Sequence, residues 1–165
     1  MPTAIESVRK LNFKVTITCI VGFVLSYYAY RVEVAKENDD SYEAMCDISE
    51  HVSCTKAFSS EFGKGFGIIP ETSPLNMPNP VYGLLFYALV ALMSTSNKYI
   101  LSIQVVILAV CANILTIYLA SILYIQKNIC IVCVSTYITN AVLLTLVVKK
   151  HRRLFQNGTN KKKSK

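Results

Sequence analysis

The stretch NICIVCVSTYITNAVLLTLVV, residues 128–148, carries no charged side chain and opens on two cysteines three positions apart. As a helix rising ~1.5 Å per residue it reaches roughly 31 Å, enough to cross the ~30 Å hydrocarbon core of a bilayer. Three more charge-free stretches precede it, at 15–30, 72–97 and 99–126. The chain of 165 residues is 53% hydrophobic and only 16% charged, and most of that charge is pushed into the gaps and the ends. Such a distribution excludes a disordered chain and argues against an ordinary soluble domain. It describes an all-α integral membrane protein.

Four spans are expected, at about 12–31, 80–97, 99–125 and 129–149, forming one membrane domain over 1–165. The first is short, but Lys14 and Arg31 can snorkel, and Tyr27, Tyr28 and Tyr30 suit the interface. A cleaved signal peptide is the competing reading of residues 1–30, although bulky tyrosines stand where small residues would be cut. Nine of the ten acids lie between Glu33 and Glu71, inside a 32–79 loop. Eleven of the seventeen Lys and Arg lie in the first 14 residues or from Lys149 onward. Positive residues stay cytosolic. Both termini and the basic tail 150–165 are therefore expected in the cytosol, with the acidic loop on the exoplasmic side. The basic ends suit an anionic bilayer surface, and no nucleic-acid partner is expected. The final Lys162-Lys163-Ser164-Lys165 is similar to a di-lysine endoplasmic-reticulum retrieval signal; a plain solvated basic tail is the alternative.

Six cysteines divide by position. Cys19 and Cys111 sit alone within spans, as small hydrophobes do. Cys46 and Cys54 lie in the acidic loop, and Cys130 and Cys133 open the last span. These four share the oxidising side or its boundary, and three pairings are open to them. Cys130 and Cys133 share a helix face that Tyr137 and Asn140 continue. With Asn128 as N-cap, both sulfurs fall where free N–H groups and the helix dipole favour a thiolate, the attacking form. A structural zinc site and two inert disulfides compete, but a seven-residue gap between Cys46 and Cys54 is atypical of zinc knuckles. No metal is expected.

Within the loop, Phe58, Phe62 and Phe66 recur every four residues, which predicts a short amphipathic helix running into a glycine turn and covering the membrane surface or a cavity. The glycines at 63, 65 and 67 do not make a phosphate loop, since no Gly-Lys-Ser/Thr follows. Four prolines follow at 70, 74, 78 and 80, and Pro80 keeps Asn79 out of the helical ladder at the mouth of the second span.

Taken together, Cys46-Asp47, Ser53-Cys54, Phe58-Ser59-Ser60, Gly63-Lys64-Gly65-Phe66-Gly67, Leu75-Asn76, Asn79, Gly83 and Cys130-Ile131-Val132-Cys133 with Thr136-Tyr137 resemble the vitamin K epoxide reductase family, including its vertebrate reductase-like paralogue. The order and spacing match over roughly residues 46–140. Where Phe62 stands, family members usually carry tryptophan, and this chain has none. The resemblance implies a four-transmembrane-helix bundle around a quinone pocket, capped by the lumenal loop.

It also implies roles. Cys133 would attack substrate and Cys130 resolve the adduct; Cys46 and Cys54 would be the electron shuttle; Asn79 and Tyr137 would hydrogen-bond the substrate; Phe58 would be a cap aromatic that also contacts coumarin inhibitors. The implied activity is reduction of vitamin K epoxide to the quinone, and of the quinone to the hydroquinone. Redox-active disulfides serve in place of a tightly bound cofactor, recharged by thioredoxin-like lumenal oxidoreductases. The implied home is the endoplasmic-reticulum membrane. A quinone-linked thiol oxidase that makes disulfides for lumenal folding is the runner-up. A non-catalytic tetraspan scaffold with a braced loop is the alternative of another class, and it would need no dithiol at Cys130 and Cys133.

Overall fold

The computed structural model describes residues 4–49 and 51–163. The side chains of the terminal di-lysine sequence lie outside the described residues. Five α-helices follow in order: α1 Ala4–Asn38, α2 Cys54–Phe58, α3 Asn79–Thr95, α4 Tyr99–Ile125 and α5 Ile131–Lys163. Among the described residues, three segments are long and apolar enough to cross a bilayer, Glu6–Asn38, Tyr99–Ile125 and Ile131–Gly158. With 17 residues, α3 falls just short of that length. Both outer helices outrun their charge-free cores: α1 begins well before Val15, and α5 carries the basic tail onward as helix to Lys163.

The four long helices run up, down, up and down. The Asn12 side-chain amide donates to Asn97 Oδ1 at 3.1 Å, Gly22 faces Tyr87 and Ser26 faces Gly83, so α3 descends along α1. Parallel to α3, α5 brings Lys150 beside the last turn of α3, where its ammonium donates to the carbonyls of Ser94 and Ser96 at 2.6 and 3.0 Å. That ammonium satisfies carbonyls that a helix end otherwise leaves open. Helix α4 returns against α5: Tyr99 stacks on His151 with ring centroids 5.0 Å apart, and the Asn113 side chain donates to the Asn140 carbonyl at 3.1 Å. Despite its shorter length, α3 therefore ends level with Asn12 of α1 and Lys150 of α5.

The bundle centre is a cluster of Val15, Cys19, Tyr87, Val90, Val105, Ala109, Leu143 and Val147. Large apolar side chains such as Ile114, Ile117, Leu92 and Ile138 point outward, as lipid-facing positions do. Gly22 is what lets α1 and α3 meet, because a Cβ there would lie 2.2 Å from the Tyr87 ring. The ring cannot swing aside freely: it is 1% exposed, and its hydroxyl donates to Asn140 Oδ1 at 2.7 Å. Gly22→Ala is expected to cost ~1–3 kcal/mol by overpacking. A thermal melt in detergent checks it, and a shift no larger than that of Gly158→Ala, which meets nothing within 4 Å, would count against this packing.

Candidate active site

Asp47 organises the loop pair. Its Oδ1 accepts from the Ser53 hydroxyl at 2.7 Å and the Thr55 backbone N–H at 3.0 Å. Its Oδ2 accepts from the Ala44 N–H at 2.7 Å and from the Thr55 hydroxyl. Ser53 in turn caps α2, accepting from the Lys56 N–H. One carboxylate thus pins the chain on both sides of Cys46 and Cys54, which are joined as a disulfide with Cα atoms 5.8 Å apart. Partial burial pushes the Asp47 pKa up, but hydrogen bonds from Thr55, Ser53 and Ala44 outweigh it and hold it down to about 2. A depressed carboxylate pKa contributes stability above its unfolded value, near ~3.9, that is lost as pH falls through the folded one. The loop is accordingly expected to loosen as pH drops from ~4 toward ~2. Hydrogen exchange at residues 44–56 over that range checks it, and Asp47→Asn should remove most of the dependence.

Next to this knot the loop is strapped to the start of the last long helix. The Ile129 N–H donates to the His51 carbonyl at 2.8 Å, and the Ser53 N–H donates to the Ile129 carbonyl at 3.0 Å. The Asn128 side-chain amide donates to the Ser53 carbonyl at 2.9 Å. The strap ends one residue before Cys54 on one strand and one before Cys130 on the other. Both cysteines are 0% exposed, and both belong to one apolar cluster with Ala29, Val32, Ala44, Ala57, Phe58 and Val132. Cys46 is half-buried at its edge, with its sulfur 3.8 Å from the Tyr28 hydroxyl.

Cys130 and Cys133 form the second disulfide, with Cα atoms 5.1 Å apart. The pairings that sequence left open are thus 46 with 54 and 130 with 133. Cys130, not Asn128, stands immediately before α5, and its Sγ accepts from the Cys133 N–H at 3.1 Å. The expected cap is displaced because α5 starts only at Ile131; Asn128, held in the strap by its amide N–H, lies too far ahead of the helix for its Oδ1 to reach a first-turn N–H, and that oxygen has no hydrogen-bond partner among the described residues. The sulfurs still lie at the helix N-terminus, where the dipole favours thiolate.

Below the loop lies a cavity of about 320 Å³. Cys133 and Tyr137 line one side, while Cys130 lies behind them among the buried residues. Phe58, Phe62 and Phe66 close the top, so the three phenylalanines do cover a cavity. They do not share one helix: α2 stops at Phe58, and two short 3-10 turns, 61–63 and 65–67, follow. The chain doubles back so tightly that a Cβ on Gly63 would lie 2.1 Å from the Phe58 carbonyl oxygen. Gly65, Phe66 and Gly67 all adopt positive φ, which costs Phe66 (φ 59°) conformational energy.

Asn79 holds that turn. Its Oδ1 accepts from the Phe66 N–H at 2.8 Å, and its amide donates to the Phe62 carbonyl. It sits at the helix mouth as expected but not outside the helix: α3 begins at Asn79 itself with Pro78 as its cap, because Pro80 falls in the first turn, where a missing N–H costs no helical bond. An Asn amide has two N–H groups and two lone pairs, so one of each remains beyond the cap bonds. Among the described residues no group hydrogen-bonds the Tyr137 hydroxyl, which leaves it available to an occupant of the cavity.

At the deep end, sequence reading missed a polar network. Asn140 Oδ1 accepts from Tyr87, and its amide donates to Thr116 Oγ1 at 2.9 Å; all three line the cavity. Asn140 itself is marked in the sequence, since it continues the Cys130–Tyr137 face; its partners Tyr87 and Thr116 are not. Nothing local marks Tyr87, which gains its partner 53 residues away.

The profile of the vitamin K epoxide reductase family matches residues 14–148 of this chain. The chain is 36% identical over 137 residues to the mouse (Mus musculus) protein named vitamin K epoxide reductase complex subunit 1, covering 80% of this chain and 85% of that one. To the protein of the same name from Rattus norvegicus it is 34% identical over 137 residues, with the same coverage.

Proposed function

The chain belongs to the vitamin K epoxide reductase family, and from that membership we propose that it reduces vitamin K epoxide to the quinone and the quinone to the hydroquinone inside the bilayer. It is a redox enzyme of the membrane. Four spans, cytosolic termini and a lumenal loop in the endoplasmic reticulum complete the proposal, supported by the charge distribution and by α3 ending level with its neighbours.

The chemistry follows from the sulfurs. In the reduced state the Cys133 thiolate attacks an epoxide carbon and opens the ring. The resulting alkoxide takes a proton, and a donor such as the Tyr137 hydroxyl or the spare Asn79 N–H stabilises the developing charge. Cys130 then attacks the Cys133 sulfur and displaces the carbon. Dithiol and epoxide become disulfide, quinone and water; a second dithiol and the quinone become disulfide and hydroquinone. Each turnover moves two electrons. Cys54 reduces the Cys130–Cys133 bridge by exchange, Cys46 resolves the mixed disulfide, and a thioredoxin-like lumenal thiol protein reduces the Cys46–Cys54 bridge that results. Phe58 serves as a cap aromatic, and a flat coumarin in the cavity would meet the same face.

The observation that carries this proposal is the strap that holds Cys54 and Cys130 in one dry cluster beside a cavity lined by Cys133. An inert braced loop has no need of it. The test is an anaerobic assay of purified protein with vitamin K epoxide and dithiothreitol, then a turnover of pre-reduced Cys46→Ala with epoxide and no added reductant, in which disulfide mapping should find a Cys54–Cys130 bridge accumulating. Its absence during turnover would refute the relay. Asn79→Ala and Tyr137→Phe are each expected to lose ~1–3 kcal/mol of substrate stabilisation, or roughly 5- to 150-fold in kcat/KM. Because Asn79 also holds Phe66, its variant should raise hydrogen exchange in the cap as well, and Tyr137→Phe should not. Unchanged kinetics in both variants would remove them from the site.

A further inference from the structure

At the end of the bundle remote from the paired cysteines, α1 and α5 enclose a second cleft, of about 600 Å³. Its α1 wall is positions 7, 10, 11 and 14, and its α5 wall is positions 149, 152, 153 and 156. Each set follows the i, i+3, i+4, i+7 spacing of one helix face. Beside this seam, inside the membrane, the two helices bury Val15, Cys19, Leu143 and Val147 together. Beyond that apolar level, Lys10, Lys14, Lys149, Arg152 and Arg153 line the cleft from both sides.

Like charges that converge from two helices repel, unless a carboxylate relieves them. Here Lys10 has Glu6 at 2.9 Å. Among the described residues, no carboxylate lies within ion-pair distance of Lys14, Lys149, Arg152 or Arg153. The tendency of basic residues to stay on the cytosolic side accounts for cations near helix ends. It does not account for four unrelieved cations facing one concavity. We propose that the cleft binds the phosphate-monoester headgroup of an anionic lipid.

Position selects a lipid over a soluble phosphate. Lys14 and Lys149 directly border the charge-free stretches 15–30 and 128–148, so the cleft sits at the plane where headgroups lie. Basic pockets between spans on the cytosolic side are suited to phosphorylated headgroups. Adjacent Arg152 and Arg153 offer planar forks that bind phosphate oxygens in pairs, and the lysines add point charge. A monoester, with more than one negative charge, matches this site better than a single-charge serine or glycerol headgroup. The site rests on the membrane topology proposed above and is independent of the redox chemistry.

Full-length protein in detergent, mixed with phosphatidic acid, phosphatidylserine or phosphatidylcholine, is examined by native mass spectrometry, with circular dichroism as the check on folding. Phosphatidic acid is expected to be retained at least about tenfold more strongly than phosphatidylserine, and Arg152→Gln with Arg153→Gln to remove that preference. Lys98→Gln, which alters a charge in the α3–α4 connection outside the cleft, should leave it intact. Equal retention of phosphatidylserine, equal loss on Lys98→Gln, or no loss in a folded double variant would each overturn the proposal. So would displacement of phosphatidic acid by inorganic phosphate at comparable concentration, which would mark a site for free anion.

Discussion

Cys133→Ser is expected to abolish reduction of both epoxide and quinone, by a factor on the order of a thousand or more, with any reductant. Of the two sulfurs in the bridge that opens α5, only that of Cys133 lines the cavity; Cys130 is fully buried behind it. A serine hydroxyl is not ionised near neutral pH and is a weak nucleophile without a base beside it. Supplying dithiothreitol does not help, because the lost step is the attack on substrate and not the supply of electrons. The Cys130→Ser variant should differ in kind. Attack can still occur there, so a covalent adduct on Cys133 should accumulate and be seen as a mass increase on the peptide that contains it. Substantial turnover by Cys133→Ser would leave the proposed enzyme without its nucleophile.

Cys46→Ala and Cys54→Ala are expected to split the two reductants. With a lumenal-type thiol protein, activity should fall on the order of a hundredfold, because Cys130 is 0% exposed and no protein thiol can reach it. With a small membrane-permeant dithiol, activity should stay within a few-fold of the parent, since such a reagent can approach the Cys133 side through the cavity. Equal loss with both reductants would mean that the loop disulfide only braces the fold. Asn128→Ala probes the same coupling without touching a sulfur. Losing the bond to the Ser53 carbonyl should slow protein-driven turnover more than dithiothreitol-driven turnover.

Much of this was legible in the chain. The charge-free stretches foretold the apolar helices, and the turn from acids in 33–71 to bases at both ends foretold a bundle with paired ends. The Cys130–Cys133 spacing foretold a cysteine pair at a helix start, although Cys130 stands just ahead of the helix and not on its face. Where local pattern competed with longer-range contacts, it fell short. The every-fourth phenylalanines read as one helix, yet the tight return at Gly63 and the positive φ of residues 65–67 break it. Asn128 is a residue type that caps helices, yet α5 starts only at Ile131 and Asn128 joins the strap to residue 53 instead. The resemblance gives Asn79 a role toward substrate, and in the structure it clamps two backbone groups of the cap.

What sequence by itself determined, then, is membrane embedding, the helical character of the bundle and a cysteine pair at the start of the last helix. Each of these depends on the length, charge or periodicity of a contiguous run, and the free energy of placing that run in a bilayer or on a helix is set locally. Tertiary structure alone decided which sulfurs pair, that the loop is strapped beside Cys130, and that Tyr87, Thr116 and Asn140 meet at the cavity floor. The last two outcomes turn on hydrogen bonds between residues 24 to 78 positions apart. Such a bond forms only after packing has removed water from both partners, and no pattern along the chain encodes which distant group will be waiting.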